Sequence, residues 1–203
     1  MMEGKNIKIM SYNCQGLHMK EKQGDIFDYL NSKDLNIYCL QDTHFIEQDE
    51  VLIKKTNGKA IVFSIHLLQI KEKLLYCLKI ILTIKYTKLK KDGDGNLVGL
   101  DLNIEDKRFT LINVYGPNID TPCFYDKLTE IIDFFGNQLC IICGDFNLVQ
   151  NFNLDTHNYI NINNPRSREK ILEIKEYKNL VDPFREINKG LHGEGKTLLN
   201  NLD

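Results

Sequence analysis

The sequence predicts an α+β fold, and three features of the 203-residue chain carry that expectation. Strand-like and helix-like periodicities alternate over about the first 60 residues and again from about residue 97 to 178. Two alternating runs, 97–104 and 108–115, read as a β-hairpin turning at Glu105-Asp106-Lys107. Finally, four apolar runs stop at short polar segments, as buried strands do where they meet a loop.

Taken in order, residues 7–14 read as a strand, and 22–31 as a helix because Ile26, Phe27 and Leu30 share one face. Residues 36–40 and 60–63 read as further strands. In the hairpin, Val98, Leu100, Leu102 and Ile104 alternate with Gly99, Asp101 and Asn103, which predicts one buried face. Thr121-Pro122 opens a helix with Phe124, Leu128, Ile131, Ile132 and Phe135 in register, and Gly136 closes it. A strand over 139–143, a loop and a helix over 167–178 follow.

Two regions break this order. Residues 64–91 mix Leu, Ile and Lys with a period that fits neither helix nor strand, and they lack Gly, Pro or Asp, so they look foreign to their surroundings. Residues 189–203 are rich in Gly and Asn and are expected to fray. The expected domain therefore spans 1–188, with 64–91 an atypical insert and 189–203 a tail.

A composition of 42% hydrophobic and 27% charged residues fits one soluble globular domain. With a net charge of −2, global basicity is excluded, so any nucleic-acid binding must rely on a local patch and on metal ions. Of the six cysteines, Cys14, Cys39, Cys77, Cys140 and Cys143 sit in or beside apolar runs and read as reduced core fillers of an intracellular protein. Cys140 and Cys143 have C-x-x-C spacing, but their odd offset sends them to opposite faces of a strand, which argues against zinc. The N-terminus lacks the apolar core of a signal peptide. The apolar stretch 74–84 is interrupted by Lys79 and falls short of the ~20 residues that span a bilayer, so no membrane partner is expected.

The four polar ends are Met10-Ser11-Tyr12-Asn13, Gln41-Asp42-Thr43-His44, Asn113-Val114-Tyr115-Gly116-Pro117-Asn118 and Cys143-Gly144-Asp145-Phe146-Asn147. Carboxylate and amide oxygens at rigid strand ends suit a hard cation or an attacking water. Each has a blander alternative: an Asx turn for Asp145 and Asn147, hairpin packing for Tyr115, a cap for Asp42. His44 reads as a structural hydrogen-bonding residue rather than a ligand, since imidazole is a soft partner for a hard cation. Lys85, Lys88, Lys90 and Lys91 read as a solvated run in a disordered segment.

On these four motifs, in this order, the chain resembles the endonuclease/exonuclease/phosphatase superfamily, and within it the endonuclease domain of LINE-type (non-LTR) retrotransposon polyproteins. The likeness runs from about residue 7 to 185, with a gap over 64–91. It implies a four-layer α/β/β/α sandwich of two mixed β-sheets, here expected to be incomplete at the C-terminal side. It also implies Mg²⁺-dependent hydrolysis of DNA phosphodiesters, with Mn²⁺ as a possible substitute. By resemblance, Tyr115, Asp145 and Asn147 are catalytic, Asn13, Asp42, Asp145 and Asn147 serve the metal, and Asn118 lies where DNA-contacting loops sit.

Three departures accompany the likeness. Asp42 stands where the family motif has Glu, shorter by about 1.5 Å of reach. The sequence ends at Asp203 without the family's Asp-His motif, and His192 has no preceding Asp to claim that role. Residues 64–91 replace a strand, Gly-rich turn and strand. Weak or absent activity is therefore expected, and the rival readings are a non-catalytic remnant and a phosphatase of the same superfamily.

Overall fold

A computed structural model describes residues 6–33, 35–44, 74–78, 84–104, 107–136, 139–151, 164–188 and 197–200. The strand expected over 60–63 lies outside them. The order is β1 (Ile9–Asn13), α1 (Lys20–Ser32), β2 (Ile37–Gln41), β3 (Leu74–Leu78), β4 (Ile84–Lys91), β5 (Leu97–Ile104) and β6 (Lys107–Tyr115). Then come α2 (Pro122–Phe135), β7 (Cys140–Asp145), α3 (Pro165–Tyr177), β8 (Leu180–Val181), α4 (Pro183–Ile187) and β9 (Thr197–Asn200).

Side-chain alternation sorts these elements into layers. On β2, Tyr38 and Leu40 face α1 and pack with Ile26, Phe27 and Leu30, while Ile37 and Cys39 face inward. There they meet Val98, Leu100, Leu102, Ile104, Phe109, Leu111 and Cys143 of the second sheet. That sheet's other face carries Leu97, Ile112, Val114, Cys140 and Ile142 against α2 and α3. The result is α1, a sheet of order β1-β2-β3, a sheet of order β4-β5-β6-β7-β9-β8, and α2 with α3. Both sheets mix parallel and antiparallel pairs. The expected four-layer sandwich is what forms. Each fully buried Leu, Ile or Phe contributes roughly 1.5–3 kcal/mol, so the two interlayer cores dominate the stabilisation.

Local signals placed the helices well. Pro122 occupies the first turn of α2, where its missing N–H costs nothing, and Gly136 ends the helix in the left-handed region at φ +59. Pro165 starts α3, and Asp182 caps α4 by accepting from the N–H groups of Phe184 and Arg185 at 2.9 and 3.2 Å.

Three expectations need correction. The hairpin does not have one buried face, because β5 lies between the layers and is buried on both. Gly99 fits there because a Cβ would stand 2.5 Å from the Phe135 ring, and buried Asp101 is compensated by Arg108 and the Thr87 hydroxyl, both at 2.6 Å. Residues 64–91 are not without strands: β3 and β4 form within them. A register shift between Tyr86 and Lys88 breaks the alternation that a sequence reading looks for, and Lys88, Lys90 and Lys91 are exposed on an edge strand, where lysines discourage further pairing. Lys88, Lys90 and Lys91 are thus solvated but lie on a strand. Within 189–203, Thr197–Asn200 do not fray. They form β9 because β7 has a second ladder to satisfy on the side away from β6.

Candidate active site

The candidate site forms where two parallel strand pairs end at one edge of the sandwich. β1 and β2 end side by side with Asn13 opposite Gln41, and β6 and β7 with Tyr115 opposite Asp145. Main-chain bonds extend both pairs into the loops: Cys14 N–H to Gln41 O at 2.9 Å, Gly16 N–H to Asp42 O at 2.7 Å, and Gly116 N–H to Asp145 O at 2.7 Å.

A side-chain bond at the strand ends then crosses between the sheets. Asn13 Nδ2 donates to Asp145 Oδ2 at 2.6 Å. The Tyr115 hydroxyl lies beside Asp42, whose carboxylate acts on the phenol. Four of the six expected site residues, 132 positions apart at the extreme, are brought together by these contacts. Asn147 joins them because its backbone N–H donates to Asp145 Oδ1 at 3.1 Å and its Nδ2 to Gly116 O at 2.7 Å. Asn118 does not join. It is exposed on the loop after β6 and enters none of these bonds.

The loops adopt conformations most side chains avoid. Gln15, Asp42, His44 and Asn147 all have positive φ, between 50 and 54. Such strained positions cost of order 1–3 kcal/mol each and cluster where geometry is held for a purpose. Asp42 is further fixed by His44, whose Nε2 lies 2.8 Å from its Oδ1. That agrees with the reading of His44 as a hydrogen-bonding partner.

Burial, then the Asp42 charge and hydrogen bond, then the Asp145 charge push the Tyr115 phenol up to about 12. It therefore stays a hydrogen-bond donor at neutral pH. The neighbouring Cys14 thiol is pushed up to about 12 by burial, against Lys22 and with a small addition from Asp42, so it is no thiolate nucleophile.

Hard oxygen donors dominate the cluster: the carboxylates of Asp42 and Asp145 and the carboxamides of Asn13 and Asn147. Among the described residues no group of three or more His, Cys, Asp or Glu side chains converges to hold a metal. A pair of carboxylates with amides fits Mg²⁺, which keeps several waters and takes one or two protein carboxylates plus substrate phosphate.

Sequence reasoning gave no role to Gln41 and Asn113. Gln41 Nε2 donates to Asn113 Oδ1 at 2.7 Å and Asn113 Nδ2 to Leu40 O at 3.1 Å, with both side chains buried between the sheets. The available signal was a lone amide in each otherwise apolar run. The loop after β7 is likewise seated by Tyr125, whose hydroxyl donates to Phe146 O at 2.8 Å.

No family model matches the sequence. In three dimensions the chain is similar to the AP endonuclease LMAP from Leishmania major, with a TM-score of 0.70 at 16% identity over 96% of this chain and 79% of that one. It is similar to the 3′ phosphatase NExo from Neisseria bound to product DNA hairpin, at 0.66 and 14% over 96% and 86%. TDP2 from D. rerio complexed with single strand DNA product gives 0.65 at 12% over 97% and 84%. This chain has the endonuclease/exonuclease/phosphatase type of α/β sandwich. Among the described residues, no helix is long and apolar enough to cross a membrane.

Proposed function

We propose that this chain is a metal-dependent phosphodiesterase acting on DNA, of the kind found in LINE-type retrotransposon endonuclease domains. The observation that supports this most is the bond from Asn13 to Asp145 across the sheets, with Tyr115 set against Asp42 beside it. DNA as substrate is supported by the DNA products held by two of the similar structures.

In this reading Asp145 takes the proton of the attacking water. Its two oxygens are already aimed by Asn13 and by the Asn147 N–H, so little reorientation is needed. Tyr115, kept protonated, turns its single hydroxyl proton from Asp42 to the phosphate when substrate binds, and Asn147 orients that phosphate. Asp42, Asp145, Asn13 and Asn147 would hold Mg²⁺, or Mn²⁺ in its place, and the bound ion supplies Lewis-acid stabilisation of charge on phosphorus oxygens. Asn118, on the exposed loop, contacts the DNA backbone. The short side chain of Asp42, tied to His44, favours a slow enzyme.

The test is nicking of supercoiled plasmid by purified protein with Mg²⁺ or chelator, with phosphate release from phosphoinositides measured in parallel. Metal-dependent nicking is expected, reduced by about 10²–10⁴-fold in Asp145→Ala. A folded protein that nicks nothing would leave a non-catalytic scaffold, and release from phosphoinositides alone would point to a phosphatase.

A further inference from the structure

Beside the candidate site, along β1 and the start of α1, lies a cavity of about 350 Å³. Its wall includes Asn13 and Asp145 of the site, and also Tyr12, Gln15, Lys22 and Ile26, to which the site as described gives no role. The volume falls in the ~300–1,000 Å³ range of small-ligand sites.

The lining is divided by chemistry. Asn13 and Asp145 form the end that adjoins the proposed reaction. Lys22, in the first turn of α1, brings a cation, and its Nζ donates to Gln15 O at 2.6 Å. An ammonium has three donors, so this bond fixes the head group while leaving it capacity for an anion. Tyr12 and Ile26 add apolar surface, and Tyr12 is itself held against Tyr29 with ring centroids 6.0 Å apart. A cation, an apolar wall and a shared boundary with the site suit a ligand that is anionic at one end and flat or apolar at the other.

We infer that this cavity receives one nucleotide unit of the substrate strand adjoining the cleaved phosphodiester, with its phosphate on Lys22 and its sugar and base against Tyr12 and Ile26. The inference rests on the hydrolase reading, because it names how that same site grips its substrate. Lys22 acts here in binding: the proton of the attacking water goes to Asp145, and Lys22 touches a neighbouring phosphate.

Anisotropy of a fluorescein-labelled single-stranded hexadeoxynucleotide, titrated in chelator over a range of salt, reads the binding without cleavage. Lys22→Ala should weaken binding and lower the salt slope by about 0.7, the share of one phosphate contact on a single strand. Lys22→Arg should restore the slope, and Lys33→Ala, at the exposed far end of α1, should leave it unchanged. Thymidine monophosphate should compete on the intact protein far better than on Lys22→Ala. An unchanged slope in Lys22→Ala, or competition by inorganic phosphate equal to that by the nucleotide, would overturn the assignment. Plasmid nicking separates the two failures: nicking with an unchanged slope refutes the cavity alone, while a lost slope without nicking refutes the hydrolase and supports the cavity.

Discussion

At the ends of β6 and β7 the two backbones approach too closely for a side chain to fit between them; at the ends of β1 and β2 polar side chains add to the main-chain bonds. Gly116 and Gly144 mark the first half. A Cβ on Gly116 would lie 2.1 Å from Phe146 O, and one on Gly144 2.0 Å from Val114 O. In the second half, Asp42 depends on His44 and Tyr115, and β2 is tied to the large sheet through Gln41 and Asn113. The large-sheet half inherits its precision from a close-packed ladder, which tolerates no shift. The small-sheet half is a set of polar bonds that substitution removes one at a time.

The most severe way to break this contrast is a methyl group on each side. Gly144→Ala, at φ +148 and against main chain, should lose about 3–5 kcal/mol in urea unfolding. Gly16→Ala, at φ +79 but facing only the His44 ring at 3.4 Å, should lose about 1–2 kcal/mol. Equal losses would contradict the difference in rigidity.

Asn113→Leu comes next. It deprives Gln41 Nε2 and Leu40 O of a buried partner and should cost about 1–3 kcal/mol in the same unfolding measurement. Because the lost bonds join the two halves, nicking should fall further than the remaining folded fraction accounts for.

A smaller effect isolates the polar half. In chelator, the Tyr115 phenol should ionise at about 12, read as ultraviolet absorbance lost in Tyr115→Phe. Asp42→Asn should lower that midpoint, since it removes the second-largest cause, the carboxylate's charge, while keeping an acceptor oxygen. The folded value is raised, so the associated stability is present below about 10, the ordinary phenol value, and lost as pH rises through about 12.

The smallest effect concerns the loop that carries Asn118. Burial pushes the Asp120 carboxyl up, but bonds from the Ser167 N–H at 2.8 Å and Arg166 Nε at 3.0 Å outweigh it and hold it at about 2. This depressed value contributes stability above about 4, lost as pH falls towards 2. Asp120→Asn should lower the neutral end of a thermal-unfolding pH profile while leaving its value near pH 2 unchanged, which flattens the acid limb.

Much of the fold was legible from local pattern. Pro122, the Phe124 to Phe135 stripe and Gly136 specify α2 because capping and period act within a few residues. Cys140 and Cys143 do face opposite cores, as a period of two requires. What misled was pattern that depended on partners. β4 looked irregular because its bulge is defined only against β5, and β9 was hidden because its reason to form is the open ladder of β7.

For the site, the sequence by itself determined which groups are available: Asn13, Asp42, Tyr115, Asp145 and Asn147, each at the end of an apolar run or in the loop beyond it. Only the tertiary structure decided that Asn13 meets Asp145, that Tyr115 meets Asp42, and that Asn118 stands apart. It also decided that Gln41, Asn113 and Lys22 belong to the same edge. Strand period and turn chemistry act between neighbours in sequence, whereas a hydrogen bond across two sheets depends on how the layers pack, which no local pattern encodes.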